Sequence, residues 1–325
     1  RLLVVLSPLG ALLVYSAARL AWEWRLEGAQ NVLALFILVG GTALFALRPE
    51  KDDYSHMAEG LIYLSMIVAT IFIVFTVANI PGFANRQFAM IMLVPLAVAV
   101  TIPPRNWLLR LSPYLLVFAI SISQSRTASA IAIAMLLYLA VNYLRMRRSR
   151  LERLAVVSGF AAAAIAPLMI FALRLDQLAI ENPDVASRDL FSSSGRWKAW
   201  GEFVNLLERP LDWAVGLGTG KAMQYGADNV PFFPHPHNEY LRFLVDTGIL
   251  GVGLLVAGSI VLLVQLGKNW NEGGYLQRAS FILIFELGLM STTDGALYSS
   301  FVVVPAAIVI GVGLSQTISH RQKIR

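Results

Sequence analysis

At 325 residues the chain is 57% hydrophobic and only 14% charged, with a mean hydropathy of +0.65, whereas roughly a quarter of an ordinary soluble domain is charged. A water-soluble globular domain is excluded, and a polytopic membrane protein is indicated. The net charge of +6 sits mostly in short connections between apolar runs, so membrane topology explains it and no nucleic-acid partner is expected; the lack of cysteine removes disulfides, thiolate metal sites and cysteine nucleophiles.

The chain opens at Arg1 rather than methionine, so N-terminal sequence is expected to be missing. Its first apolar run is too long and wrongly flanked for a cleaved signal peptide. A helix needs about 20 apolar residues to cross the hydrocarbon layer. Ten segments meet that pattern, near 2–22, 31–47, 60–79, 87–102, 106–123, 126–144, 154–174, 248–267, 278–293 and 296–316. The expected fold is therefore an all-α single integral membrane domain over 1–325, with a long loop at 175–236 between the seventh and eighth spans.

Residues 145–153, RMRRSRLER, hold five arginines against one glutamate, and such a short basic loop stays cytoplasmic. Counting outward places 48–54, 103–110, 268–278 and 320–325 on the same side, all with Lys or Arg. The loop 175–236 then lies outside the cytoplasm, in the periplasm of a Gram-negative cell. Arg126 lies at that face too, within SQSRTASA, where small neighbours favour close helix packing. It fits either a snorkelling anchor at a helix end or a functional cation.

Within the loop, Ser192, Ser193 and Ser194 are placed to cap a helix running to about Glu208. Trp197, Trp200, Val204 and Leu207 recur on one side of it, with Lys198, Glu202, Asn205 and Glu208 opposite, the pattern of an interfacial helix. Arg196, in its first turn, opposes the helix dipole and would be explained by a nearby anion. The glycines of GLGTG (216–220) lack a strand–turn–helix context, so a tight turn is expected rather than a nucleotide cradle. In FFPHPHNEYL, Pro236 suits the first turn of a helix carrying His237, Tyr240, Leu241 and Leu244 on one face, ended by DTGILG. A histidine in that turn is favoured as neutral imidazole, a competent base; the plainer alternative is that His235 and His237 only hydrogen-bond the loop. No third ligand at helical spacing completes a metal site, no Ser-His-Asp grouping stands out, and the Asp52–Asp53 pair lies on the cytoplasmic side.

The SRT of 125–127, the SGR of 194–196 with Trp197 and Trp200, the RPLDWAVGLGTG that follows, and HNEYL with GILG together resemble the bacterial O-antigen ligase and polymerase superfamily of membrane glycosyltransferases. The resemblance runs from about Ser123 to the last helix. It implies a C-type glycosyltransferase fold, an undecaprenyl-diphosphate-linked glycan donor, and lipid A core or a growing glycan as acceptor. Arg126 and Arg196 would hold the diphosphate and His237 would be catalytic. Ser125, Ser194, Asn238, Tyr240 and His235 would support them, with no metal and no cofactor. Members often have about twelve spans, so ten fit a trimmed chain. Nucleotide sugars are absent outside the cytoplasm, which fits a lipid-carried donor, and arginines stabilise a departing diphosphate without a metal ion. The bacterial inner membrane is the implied location, with the active site facing the periplasm. A ligase and a polymerase are both compatible, and the competing classes are a non-catalytic scaffold of polysaccharide assembly and a lipid-linked glycan transporter. The latter needs ionisable groups near mid-membrane, where Glu286 is the main exception to otherwise charge-poor spans.

Overall fold

The computed structural model describes residues 2–48, 54–78, 80, 85–123, 125–145, 196–230, 235–268, 270 and 273–323. Among them are twelve helices and no strand: α1 (Leu2–Trp22), α2 (Leu26–Ala46), α3 (Ser55–Val77), α4 (Asn85–Ala99), α5 (Trp107–Ile122), α6 (Arg126–Arg145), α7 (Arg196–Val204), α8 (Pro210–Val215), α9 (Lys221–Asn229), α10 (Glu239–Gly267), α11 (Tyr275–Met290) and α12 (Ser300–Lys323). Nine of the ten expected spans coincide with a helix; the seventh, 154–174, lies outside the described residues, as do Ser192 to Ser194, Asp52, Asp53 and most of the basic loop 145–153.

Five helices, α1, α2, α3, α10 and the Ser300–Ile318 part of α12, are long and apolar enough to cross a membrane. The apolar helices α4 and α5 are shorter, at 15 and 16 residues. At ~1.5 Å per residue they fall short of a ~30 Å hydrocarbon layer. Leu3, Val4 and Val14 on α1 and Leu64, Ile67 and Val74 on α3 are exposed, which water would penalise and lipid would not.

The chain divides into two compact units. Residues Asp52–Ser192 form one, in which α4 is the core helix, buried at nearly every position from Phe88 to Ala99. The Phe88 ring stacks on Phe72 of α3 at 3.7 Å. Asn106 caps α5 by accepting from the Leu109 amide at 3.0 Å and gives its own N–H to Tyr63 at 2.7 Å, while Arg105 pairs with Glu59 at 3.1 Å.

The other unit comprises Arg1–Lys51 and Ser193–Arg325. Here α12 packs on α2 and α11, and α1 packs on α10. Helix α10 is bent at Gly248, whose φ of 67° and ψ of −170° are not helical, so the expected break at DTGILG is present although the helix continues beyond it. The GLGTG turn docks into this break: the Leu217 and Gly218 amides donate to the Val245 and Asp246 carbonyls at 2.7 and 3.0 Å. On its other side Tyr15 and Arg19 of α1 donate to the Val215 and Gly216 carbonyls at 2.7 and 3.0 Å.

Gly216 and Gly248 both hold positive φ, Gly216 facing the Asp246 and Thr247 backbone and Gly248 that of Ala214 and Val215. A Cβ on Gly248 would stand 2.4 Å from the Ala214 carbonyl group, a backbone clash that no rotamer relieves. This positive-φ, extended-ψ conformation adds about 1–3 kcal/mol for a residue with a Cβ. Gly248→Ala should therefore lower the melting temperature of the purified protein by several degrees. Gly253→Ala in the same helix, where an added Cβ meets nothing within 4 Å, should leave it unchanged or raise it; equal melting temperatures for the two variants would contradict the packing described.

Candidate functional site

The site is built at the start of α10. Asn238 has extended backbone, and its side chain accepts from the Leu241 amide at 3.0 Å, making it the N-cap. Pro236 and His237 therefore precede the helix, which corrects the expectation that Pro236 opens it and His237 lies in its first turn. Local reason and tertiary reason coincide: asparagine outcompetes proline for the cap once its carboxamide reaches back to the third amide, and the Glu239 amide is taken by the Ser291 carbonyl at 2.8 Å. His237 is the one non-glycine residue with positive φ (49°) among the described residues. Such strain persists only where surroundings enforce it, and it gathers at functional sites.

Those surroundings are specific. Trp200 of α7 donates its indole N–H to the Pro236 carbonyl at 2.7 Å. The Tyr240 hydroxyl donates to the Gly288 carbonyl at 2.9 Å, bracing α10 against α11. The His237 Nδ1 lies 3.4 Å from Oδ1 of Asp294, both side chains being largely buried. A carboxylate facing Nδ1 favours the tautomer with its proton there, leaving Nε2 as the acceptor. His235 stacks at a tilt against His237, ring centroids 4.2 Å apart. Its Nε2 lies 3.4 Å from the Tyr298 hydroxyl. Burial pushes the Tyr298 phenol above its ordinary range, the Glu239 and Asp294 carboxylates push the same way, and Arg242 opposes them. Tyr298 thus stays protonated beside His235. Behind these residues Arg242 donates to Glu239 at 2.6 Å in a buried ion pair, with the guanidinium over the Phe243 ring.

Arg196 is the first residue of α7 and partly exposed. It stands one turn, about 6 Å along the axis, before Trp200 and on the same face, so the helix that carries it is tied to the His237 loop. No acidic residue occupies the first turn of α7, and a cation at this dipole end is suited to an anionic ligand. Helix α7 ends at Val204 rather than near Glu208, because the Leu206 and Leu207 amides turn to the third carbonyl back, Phe203 and Val204. Its buried face is centred on Ala199 and Phe203, and Trp197 is 72% exposed, so the expected apolar stripe through Trp197 is rotated. Arg126 is the exposed first residue of α6, after buried Ser125, in the Asp52–Ser192 unit. Ser194 lies outside the described residues.

Three residues escaped the sequence reading. Asp294 and Tyr298 sit on the connection between α11 and α12, where nothing in the local pattern marks them. Asp246 does carry a signal in retrospect. A glycine-rich turn leading into a helix calls for an anion, and the anion is Asp246, whose carboxylate accepts from the Gly220 and Ala222 amides at 2.9 and 2.8 Å and from Asn31 at 3.5 Å. The GLGTG turn is thus a cradle for the protein's own carboxylate, consistent with the tight turn expected.

Residues 113–256 match the family model described as O-antigen ligase. The matched stretch takes in Arg126, Arg196 and His237 and stops before Asp294 and Tyr298. No curated protein matches the chain.

Proposed function

We propose, from the premise that this chain carries an O-antigen ligase family domain, that it is an inverting membrane glycosyltransferase. It would move a glycan from an undecaprenyl-diphosphate-linked donor to an acceptor hydroxyl at the periplasmic face of the bacterial inner membrane, in lipopolysaccharide or surface polysaccharide assembly. The observation that carries this reading is the His237 Nδ1 to Asp294 contact at 3.4 Å. In the reaction, Nε2 of neutral His237 takes the proton of the acceptor hydroxyl while its oxygen attacks the anomeric carbon. The bond from that carbon to the diphosphate oxygen breaks, and the lipid diphosphate leaves with the electron pair. Asp294 holds the imidazole in orientation and stabilises the imidazolium that forms. Arg196, and by its sequence motif Arg126, stabilise the leaving diphosphate in the role a metal ion fills elsewhere.

Gene deletion tests the reading and separates its two forms. Loss of O-chain from lipopolysaccharide with accumulation of lipid-linked polymer identifies a ligase, and accumulation of single lipid-linked repeat units identifies a polymerase. Unchanged glycans on deletion would defeat both.

The arginines have their own test. Lysine keeps the charge and forfeits the two-pronged geometry, and a hydrogen bond to a charged group contributes about 1.5–3 kcal/mol. Arg196→Lys and Arg126→Lys should each weaken donor-lipid affinity or turnover about 10- to 100-fold, with non-additive losses in the double variant. Full activity in Arg126→Lys would return that residue to a snorkelling role.

A further inference from the structure

Trp197 is 72% exposed, yet its ring is not loose: it meets Trp200 edge-on, centroids 5.0 Å apart at 73°. Trp200 is in turn fixed by its hydrogen bond to the Pro236 carbonyl, the residue before His237. An open indole face is therefore held in a set orientation next to the catalytic loop. Gly201 follows one turn later, and a Cβ there would meet nothing within 4 Å. Glycine weakens a helix interior, and no packing demand explains it at this position. What it does is leave space. Side chains on a helix point back toward its N-terminus, so a long side chain at 201 would reach over the surface that Trp197 presents. Lys198 and Glu202, on the exposed side of the rotated helix, are polar, which is not the apolar stripe of a helix lying in lipid.

We propose that Trp197 is a stacking platform for a sugar ring of the glycan handled at His237, kept uncovered by Gly201. The inference rests on the glycosyltransferase reading above. A pyranose has one face of C–H groups and a rim of hydroxyls. The indole takes the face, and the rim is left to the polar groups of the exposed helix side and to water. Because Trp200 already fixes the ring, little side-chain freedom is lost on binding. The platform selects for the shape of a sugar and does not take part in bond making.

The experiment is a binding titration of the full chain in lipid nanodiscs against lipid-free glycan released by mild acid from the host's own surface polysaccharide. Trp197→Ala and Gly201→Gln should each weaken binding about tenfold, Trp197→Phe should stay within about threefold because it keeps an aromatic face, and Gly201→Ala should bind as the parent does. Gly201→Gln should melt no lower than the parent, which separates covering the ring from unfolding. Parent-like affinity in both Trp197→Ala and Gly201→Gln overturns the proposal, as does a parent chain with no saturable glycan binding. Parent-like affinity with a Trp197→Ala loss of thermal stability in nanodiscs but not in detergent would assign the indole to the membrane instead. Binding needs no turnover, so normal transfer by a His237→Ala variant would defeat the proposed mechanism while this titration remained readable.

Discussion

His237→Ala should abolish glycan transfer while the protein still inserts and binds donor lipid, since loss of a positioned general base lowers rates about 10²- to 10⁴-fold. The structure adds a companion to this result. Asp294 faces Nδ1 of His237, and both side chains are largely buried. Asp294→Asn presents an amide N–H or carbonyl in its place and removes the charge that favours the imidazolium, so turnover should fall on the order of tenfold or more while the KM for donor lipid stays near the parent value. Normal turnover in Asp294→Asn would leave His237 to act without an orienting group. His235→Ala should be much milder than either, since its Nε2 is committed to the Tyr298 hydroxyl.

The second large effect concerns folding. Asp246 is buried and gathers the Gly220 amide, the Ala222 amide and the Asn31 side chain around one carboxylate. Asp246→Ala strands two amides at the start of α9 in a buried site. Each buried donor left unmade costs about 1–3 kcal/mol, and bonds to a charged group lie at the upper end. A loss of about 3–6 kcal/mol is a large part of the ~5–15 kcal/mol that typically holds a domain together. The variant should therefore be recovered poorly and melt far below the parent, with Asp246→Asn intermediate because its carbonyl oxygen keeps one acceptor. If Asp246→Ala melted within a degree or two of the parent, the GLGTG turn would owe its position to the backbone bonds from Leu217 and Gly218 alone. Since the same turn docks against the break at Gly248, unfolding there should also release the start of α10, and activity should fall with stability.

Hydropathy and spacing placed nine described helices, the break at DTGILG and the polar interval that carries the site, because an apolar run long enough for a membrane and a glycine at a break are local properties of the chain. The motifs around Arg126, Arg196 and His237 were legible for the same reason, each being a short contiguous string. Several things were not. Helix α7 buries Ala199 and Phe203 instead of Trp197, since a short helix with apolar residues on more than one side is turned by what it packs against. His237 stands outside α10 because Asn238 takes the cap once Ser291 supplies a partner for Glu239. Asp294 reaches His237, and Tyr298 reaches His235, only because α11 returns the chain to the start of α10. The sequence by itself thus determined the membrane class, the helices and the short motifs that hold the candidate residues. Tertiary structure decided which carboxylate serves His237 and which one fills the glycine turn, because pairing between distant segments depends on how helices pack and leaves no period in the chain.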